Sequence, residues 1–306
     1  MKNCFTNLNT GKILASGPCL ATNLTPSAST SRMNRVHDDR SPHLPHGLQM
    51  KNKTLFLAML CFLPLAAGAQ TADEIVKKAL DARGGAEKIK AVQAERVTGS
   101  ISFGPGADGV FVVELKRPHK MHMEISIEGQ KLVRVYDGKS AGWTINPFAP
   151  NRDVQPMSDE DLKSISDESD FDGPLVDYKA KGNQIELVGK EDLEGKPVYR
   201  LKLTNKNGDA RFYLFDASSY FLVKWEGIRK ADNKDIPWES FFSDYREVQG
   251  LKYAFKIDSG SPGTEIKQSL TAEKIEINPQ IDESHFIKPA LAEPSVAPAS
   301  APPENR

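Results

Sequence analysis

Residues 111–129 read FVVELKRPHKMHMEISIEG, and their period decides the fold. Phe111, Val113 and Leu115 fall on one side of an extended chain, away from Glu114 and Lys116. After Pro118, Met121, Met123, Ile125 and Ile127 alternate in the same way with His122, Glu124, Ser126 and Glu128. A period of two means strands with one oily and one wet face, the signature of an antiparallel sheet rather than a buried parallel one. Alternation begins near Gln93. It returns at Gln184 to Val188, Val198 to Thr204, Arg211 to Asp216, Phe221 to Arg229, Ile236 to Val248, Leu251 to Asp258 and Glu265 to Ile277. Between these runs stand Glu128-Gly129, Asp137-Gly138, Glu194-Gly195, Asn207-Gly208 and Gln249-Gly250, pairs suited to tight hairpins, so successive strands should be neighbours.

Two stretches break the period. Thr71 and Glu74 form a capping box ahead of Ile75, Val76, Ala79 and Leu80, which predicts one amphipathic helix ending at Gly84 and Gly85. Between Ser158 and Asp177 a short helix capped by Ser158 and Asp161 precedes an acidic segment, expected as an insertion over the sheet at one rim. The expected fold is therefore mainly β with some α: a curved antiparallel sheet of about ten or eleven strands and two or three helices. A sheet of that size must close or curl around whatever covers its apolar face. An apolar cavity under the helices and an interior filled by side chains both satisfy that requirement.

The segment from Met50 to Ala69 has basic residues Lys51 and Lys53, an apolar run from Leu55 to Leu65, and Ala67 and Ala69 before Gln70. That is the form of a cleaved export signal, and the run is too short for a permanent span of about 20 apolar residues. Met50 is read as the start, with residues 1–49 an extension of disordered composition and residues 289–306 an Ala/Pro-rich tail. The folded domain is expected over 70–288. Cys4, Cys19 and Cys61 all precede it, so it has no disulfide and must stand on its own core. Met59 and Leu60 before Cys61 make a poor site for lipidation, which argues against a permanent membrane anchor. With 40 basic and 41 acidic residues, net charge −1, no bulk field favours nucleic acid.

The usual catalytic signatures are missing: a cysteine nucleophile in the domain, a Gly-x-Ser-x-Gly elbow, a phosphate loop and a His-x-x-x-His pair. His119 and His122 lie three apart beside a strand, on opposite faces, and His285 stands alone, so no metal is expected. The acidic residues from Asp159 to Asp172 lack calcium-loop spacing and read as a solvated helix face. No enzyme activity and no cofactor are expected.

Lys116-Arg117-Pro118, Asp137-Gly138-Lys139, Trp143 and Asn146-Pro147-Phe148 occur in the order found in the periplasmic lipoprotein carriers. The ending with Asn278, Ile281, Asp282 and Phe286 also resembles that LolA-like family. The resemblance implies an unclosed half-barrel covered by helices, whose interior shelters the acyl chains of lipoproteins or lipids. It assigns Arg117 to holding the lid helices through backbone carbonyls. It assigns Phe111, Val113, Leu115, Met121, Met123, Ile125 and Trp143 to an apolar lining. It further implies a monomer in the periplasm that takes cargo from an inner-membrane release complex to an outer-membrane acceptor. A sensor that signals through a protein partner is the alternative on the same fold. The sequence departs from the compact carriers in its extra residues between Asn151 and Asp177 and in Met121, where an aromatic residue is usual.

Overall fold

The computed structural model describes residues 70–231, 234–264 and 268–290. The export signal, the N-terminal extension and the tail beyond Ala290 lie outside the described residues. In chain order the elements are α1 (Ala72–Ala82), α2 (Ala86–Ala91), β1 (Ala94–Ser102), β2 (Asp108–Lys116), β3 (Lys120–Ile127), β4 (Gln130–Tyr136), β5 (Gly142–Ile145) and β6 (Gln155–Pro156). Then come α3 (Asp159–Glu168), β7 (Gln184–Leu193), β8 (Lys196–Thr204), β9 (Ala210–Asp216), β10 (Leu222–Ala231), β11 (Lys234–Val248), β12 (Leu251–Gly260) and β13 (Gln268–Ile277), followed by a 3-10 turn at Glu283–Phe286.

All thirteen strands join one antiparallel sheet in the order β6-β5-β4-β3-β2-β1-β13-β12-β11-β10-β9-β8-β7. Two meanders, β1 to β6 and β7 to β13, are seamed where the first strand meets the last. The expected ten or eleven strands become thirteen because β5 and β6 span only four and two residues, too short to show a period. The sheet is open, and its edges are blunted. β6 carries Pro156, and β7 carries Glu186, Lys190 and Glu191 with a register shift between Leu187 and Gly189.

The hairpins follow their turn residues. Glu128-Gly129, Glu194-Gly195 and Gln249-Gly250 each supply two consecutive positive φ values (49° and 77°, 53° and 82°, 50° and 80°) between strands only two residues apart. These are type I′ conformations, whose twist matches that of the flanking strands. Across β2 and β3, Phe111 faces Ile125, Val113 faces Met123 and Leu115 faces Met121, so the predicted apolar faces meet in register.

Laid flat, thirteen strands would span about 58 Å, whereas the longest covering helix, α1, is about 16 Å long. The inner face is buried only because the sheet curls into a half-barrel. α1 starts from the capping box: Thr71 Oγ1 accepts from Glu74 N at 3.2 Å, and Glu74 Oε2 accepts from Thr71 N at 3.0 Å. It buries Ile75, Val76 and Ala79 against Leu201, Tyr213, Phe215, Trp225 and Ile257 of β8, β9, β10 and β12. The other half of the sheet is covered by Ile89 and Val92 at the end of α2 and by Ile165, Phe171 and Val176. The 158–177 segment lies over the sheet as expected, and Ile165, Phe171 and Val176 carry it beyond a rim position: they are buried in the core while Asp159, Glu160, Asp161 and Asp177 stay exposed. Its acidic composition masks three apolar side chains that pack against β1 to β4.

Candidate ligand site beneath the helices

Arg117 follows the last residue of β2, and its side chain, one quarter exposed, is spoken for on every side. Nε donates to Val92 O at 2.6 Å and Nη2 to Ile89 O at 3.3 Å, satisfying carbonyls at the C-terminal end of α2. Nη1 and Nη2 also grip Asp172 Oδ2 and Oδ1 at 3.1 and 2.6 Å, and the guanidinium lies 4.9 Å from the centre of the Phe171 ring. Burial would raise the Asp172 carboxyl, but the Arg117 hydrogen bonds outweigh it and hold the group below its ordinary value. One side chain thus ties two separate covers, the end of α2 and the 171–173 segment, to the rim of β2.

A second tie is buried outright. Arg134 on β4 reaches Glu168 at the end of α3 at 3.0 Å, and Ser164 Oγ donates to the same carboxylate at 3.0 Å. Glu168 is fully enclosed, so the acidic run is not simply a solvated helix face as its sequence suggests.

Phe111, Val113, Leu115, Met121, Met123 and Ile125 are each between 0 and 3% exposed and belong to one close-packed cluster with Ile165, Phe171 and Val176. Trp143 on β5 is half-buried. In this conformation the interior beneath α2 and α3 is filled. A small, partly open pocket of about 60 Å³ lies instead beneath α1 and the 172–175 segment, its lining including Ala79, Val97, Leu175, Phe215, Tyr245 and Ile257. Two wider polar-edged clefts flank the covers. One, of about 600 Å³, includes His119, Asp170, Lys181 and Arg211, and the other, of about 880 Å³, runs along Val76, Leu80 and Lys88.

Within the small cavity sits Glu95 of β1, 3% exposed, accepting from Tyr253 Oη at 3.0 Å, with Arg83 in the same lining. Burial pushes its carboxyl up to about 7, against the opposing effects of the Tyr253 hydroxyl and the Arg83 charge. Burial likewise raises the Tyr245 phenol, whose hydroxyl donates to Leu222 O at 2.8 Å. Sequence reasoning did not single out Glu95, although a signal existed. It shares the parity of Val97 and Ile101, so it must point inward with them.

The outer face of the sheet holds a different cluster. Glu114, inward in neither sequence nor structure yet 3% exposed, accepts from Arg96 Nε at 2.7 Å and lies 2.5 Å from His285 Nδ1 and 3.5 Å from His122 Nδ1. Burial would raise this carboxyl, but the two imidazoles and Arg96 hold it down to about 2. His285 therefore does not stand alone. The C-terminal turn brings it against β3, with the His122 and His285 ring centres 5.4 Å apart, a contact between residues 163 positions apart that no local pattern reveals.

No family model and no curated protein matches this chain. Solved structures similar to it include a DUF1329 family protein from Desulfovibrio piger (14% identity, TM-score 0.48, 69% of this chain and 97% of that one). A putative outer membrane lipoprotein-sorting protein domain from Vibrio parahaemolyticus is also similar (11% identity, TM-score 0.46, 70% and 95% covered). So is a LolA superfamily protein from Nitrosomonas europaea (12% identity, TM-score 0.46, 72% and 99% covered). Among the described residues no helix is long and apolar enough to cross a membrane.

Proposed function

We propose that this protein is an exported, periplasmic carrier that shelters the acyl chains of lipoproteins or lipids in the half-barrel and performs no chemical step. The observation that carries the reading is the Arg117 clamp, which holds the end of α2 and the 171–173 segment over a continuous apolar face. Each methylene exposed to water costs about 0.8 kcal/mol, so a carrier needs a dry interior and a cover that yields. Ligand cavities commonly hold about 300–1,000 Å³, far more than the 60 Å³ beneath α1, so in this reading the covers must move to admit an acyl chain. Cargo enters by displacing Phe171, Val176 and α1 from the sheet, and the Arg117 bonds set the balance between closed and open states. In this reading residues 50–69 direct export, the domain over 70–288 travels free between an inner-membrane release complex and an outer-membrane acceptor, and residues 1–49 and 289–306 lie outside it.

The test is titration of delipidated protein with a fluorescent fatty acid, alongside Arg117→Gln. Saturable binding by the wild type is expected, with faster probe entry in R117Q: about tenfold for each 1.4 kcal/mol by which the clamp favours the closed state. Native-like circular dichroism without any probe binding would sink the reading.

A further inference from the structure

We propose that Glu114, His122 and His285 form a binding site for a divalent transition-metal ion of the zinc class, which pins the C-terminal turn to the outer face of the sheet. One ligand atom from each of the three residues lies within 4.8 Å of the others. Zinc bound by imidazole nitrogen and carboxylate oxygen at about 2.0–2.2 Å in a tetrahedron places its ligand atoms about 3.3 Å apart. The separations from Glu114 Oε2, 2.5 Å to His285 and 3.5 Å to His122, bracket that value, and with no two ligand atoms more than 4.8 Å apart, side-chain rotation completes the site.

The second observation is an unsatisfied atom. His122 Nδ1 is shut off from solvent and makes no well-formed hydrogen bond: Glu114 Oε2, 3.5 Å away, is already engaged by His285. A buried polar atom left without a good partner is costly, and a cation between the three groups takes up its lone pair. Two nitrogens and one oxygen suit zinc, nickel or copper ions, whereas calcium and magnesium require oxygen cages.

The surrounding charges permit it. Arg96 occupies only Oε1 of Glu114 and also reaches Glu276 at 3.8 Å, while Lys116 and Lys120 are both engaged by Glu283. Oε2, now bonded to His285, turns to a metal once that ring presents its bare Nδ1. His285 ligates through Nδ1 as its Nε2–H tautomer, so no redox step or leaving group is involved. His285 belongs to the turn Glu283–Phe286, whose Phe286 packs against Ala94 and Ile281. A metal bridge from β2 and β3 to this turn fastens the end of the folded domain.

The experiment uses the full chain, stripped with a chelator and titrated with Zn²⁺ and, for its visible absorption, with Co²⁺. Wild type, His285→Gln, the double variant His122→Gln/His285→Gln and the control His119→Gln are compared. Residues such as His37, His43 and Cys61 are common to all four and cancel in the difference. Loss of an outer-shell partner alone costs about 10–100-fold in metal affinity, so the double variant should lose one equivalent of binding by at least about 100-fold, with H119Q unchanged. Zn²⁺ should also slow hydrogen exchange of residues 281–287 in wild type but not in H285Q. Equal stoichiometry and affinity in wild type and the double variant, or exchange at 281–287 indifferent to Zn²⁺, overturns the proposal. H285Q alters a partly exposed ring, so its fold is checked by melting in chelator.

Discussion

Glu95 offers a quantitative test of the interior. In the unfolded chain its carboxyl titrates near the ordinary value of 4.5, and in the folded protein burial lifts it to about 7. Between those values the native state holds a proton that the unfolded state has released, so stability falls as pH rises through this window. The difference corresponds to about 3 kcal/mol, fully expressed above pH 7 and absent below pH 4.5. Glu95→Gln keeps the shape and an oxygen to accept from Tyr253, but cannot ionise. Urea unfolding of both proteins at intervals from pH 4.5 to 8 isolates this one group, because every other titration is shared and subtracts out. E95Q should match the wild type near pH 4.5 and exceed it by about 3 kcal/mol at pH 8. Parallel stability curves across that range would show that Glu95 meets water or a closer positive charge, and refute the burial that sets its titration.

Two further substitutions test the scaffold. Arg134→Leu removes the cation that faces the buried Glu168 carboxylate and should cost about 3–5 kcal/mol in chemical denaturation, whereas the double variant Arg134→Leu/Glu168→Leu should recover most of the loss; a single-variant cost under about 1 kcal/mol would refute the pairing. Asn278 has φ of 54° and its Oδ1 accepts from Gln93 N and Ala94 N at 2.7 and 3.2 Å, so Asn278→Ala should cost about 2 kcal/mol, and Asn278→Gly, free of the backbone strain, less.

Strand faces, hairpins and the first helix were legible in the sequence because their causes are local. Alternation places Met121, Met123 and Ile125 on one face whatever lies opposite, and Glu128-Gly129, Glu194-Gly195 and Gln249-Gly250 adopt their turn wherever they stand. Thr71 and Glu74 cap each other within one helical turn. α2 was not legible: it is six residues long, and Gly85 caps it without a side chain. The core role of 165–176 was hidden because Ile165, Phe171 and Val176 sit among Asp and Glu, which composition alone reads as solvated. Arg117 could be placed on its helix-end carbonyls only through the family resemblance, since its partners at 89, 92 and 172 arise from tertiary folding. The His122 and His285 meeting depends on the same long-range closure.

The seam between β1 and β13 carries a consequence for biosynthesis. Residues 95–102 hydrogen-bond to residues 269–277, so during translation β1 waits, paired on one side only, until almost the whole domain has emerged. Each meander can assemble from neighbouring strands as it appears, but joining them requires closing a loop of some 170 residues, the slow kind of contact in folding. A chain stopped before residue 268 would leave the free edges of β1 and β12 side by side in an aqueous compartment, open to pairing with another copy. A compartment that holds such chains needs either fast arrival of the last strand or a chaperone that covers the edge until it does.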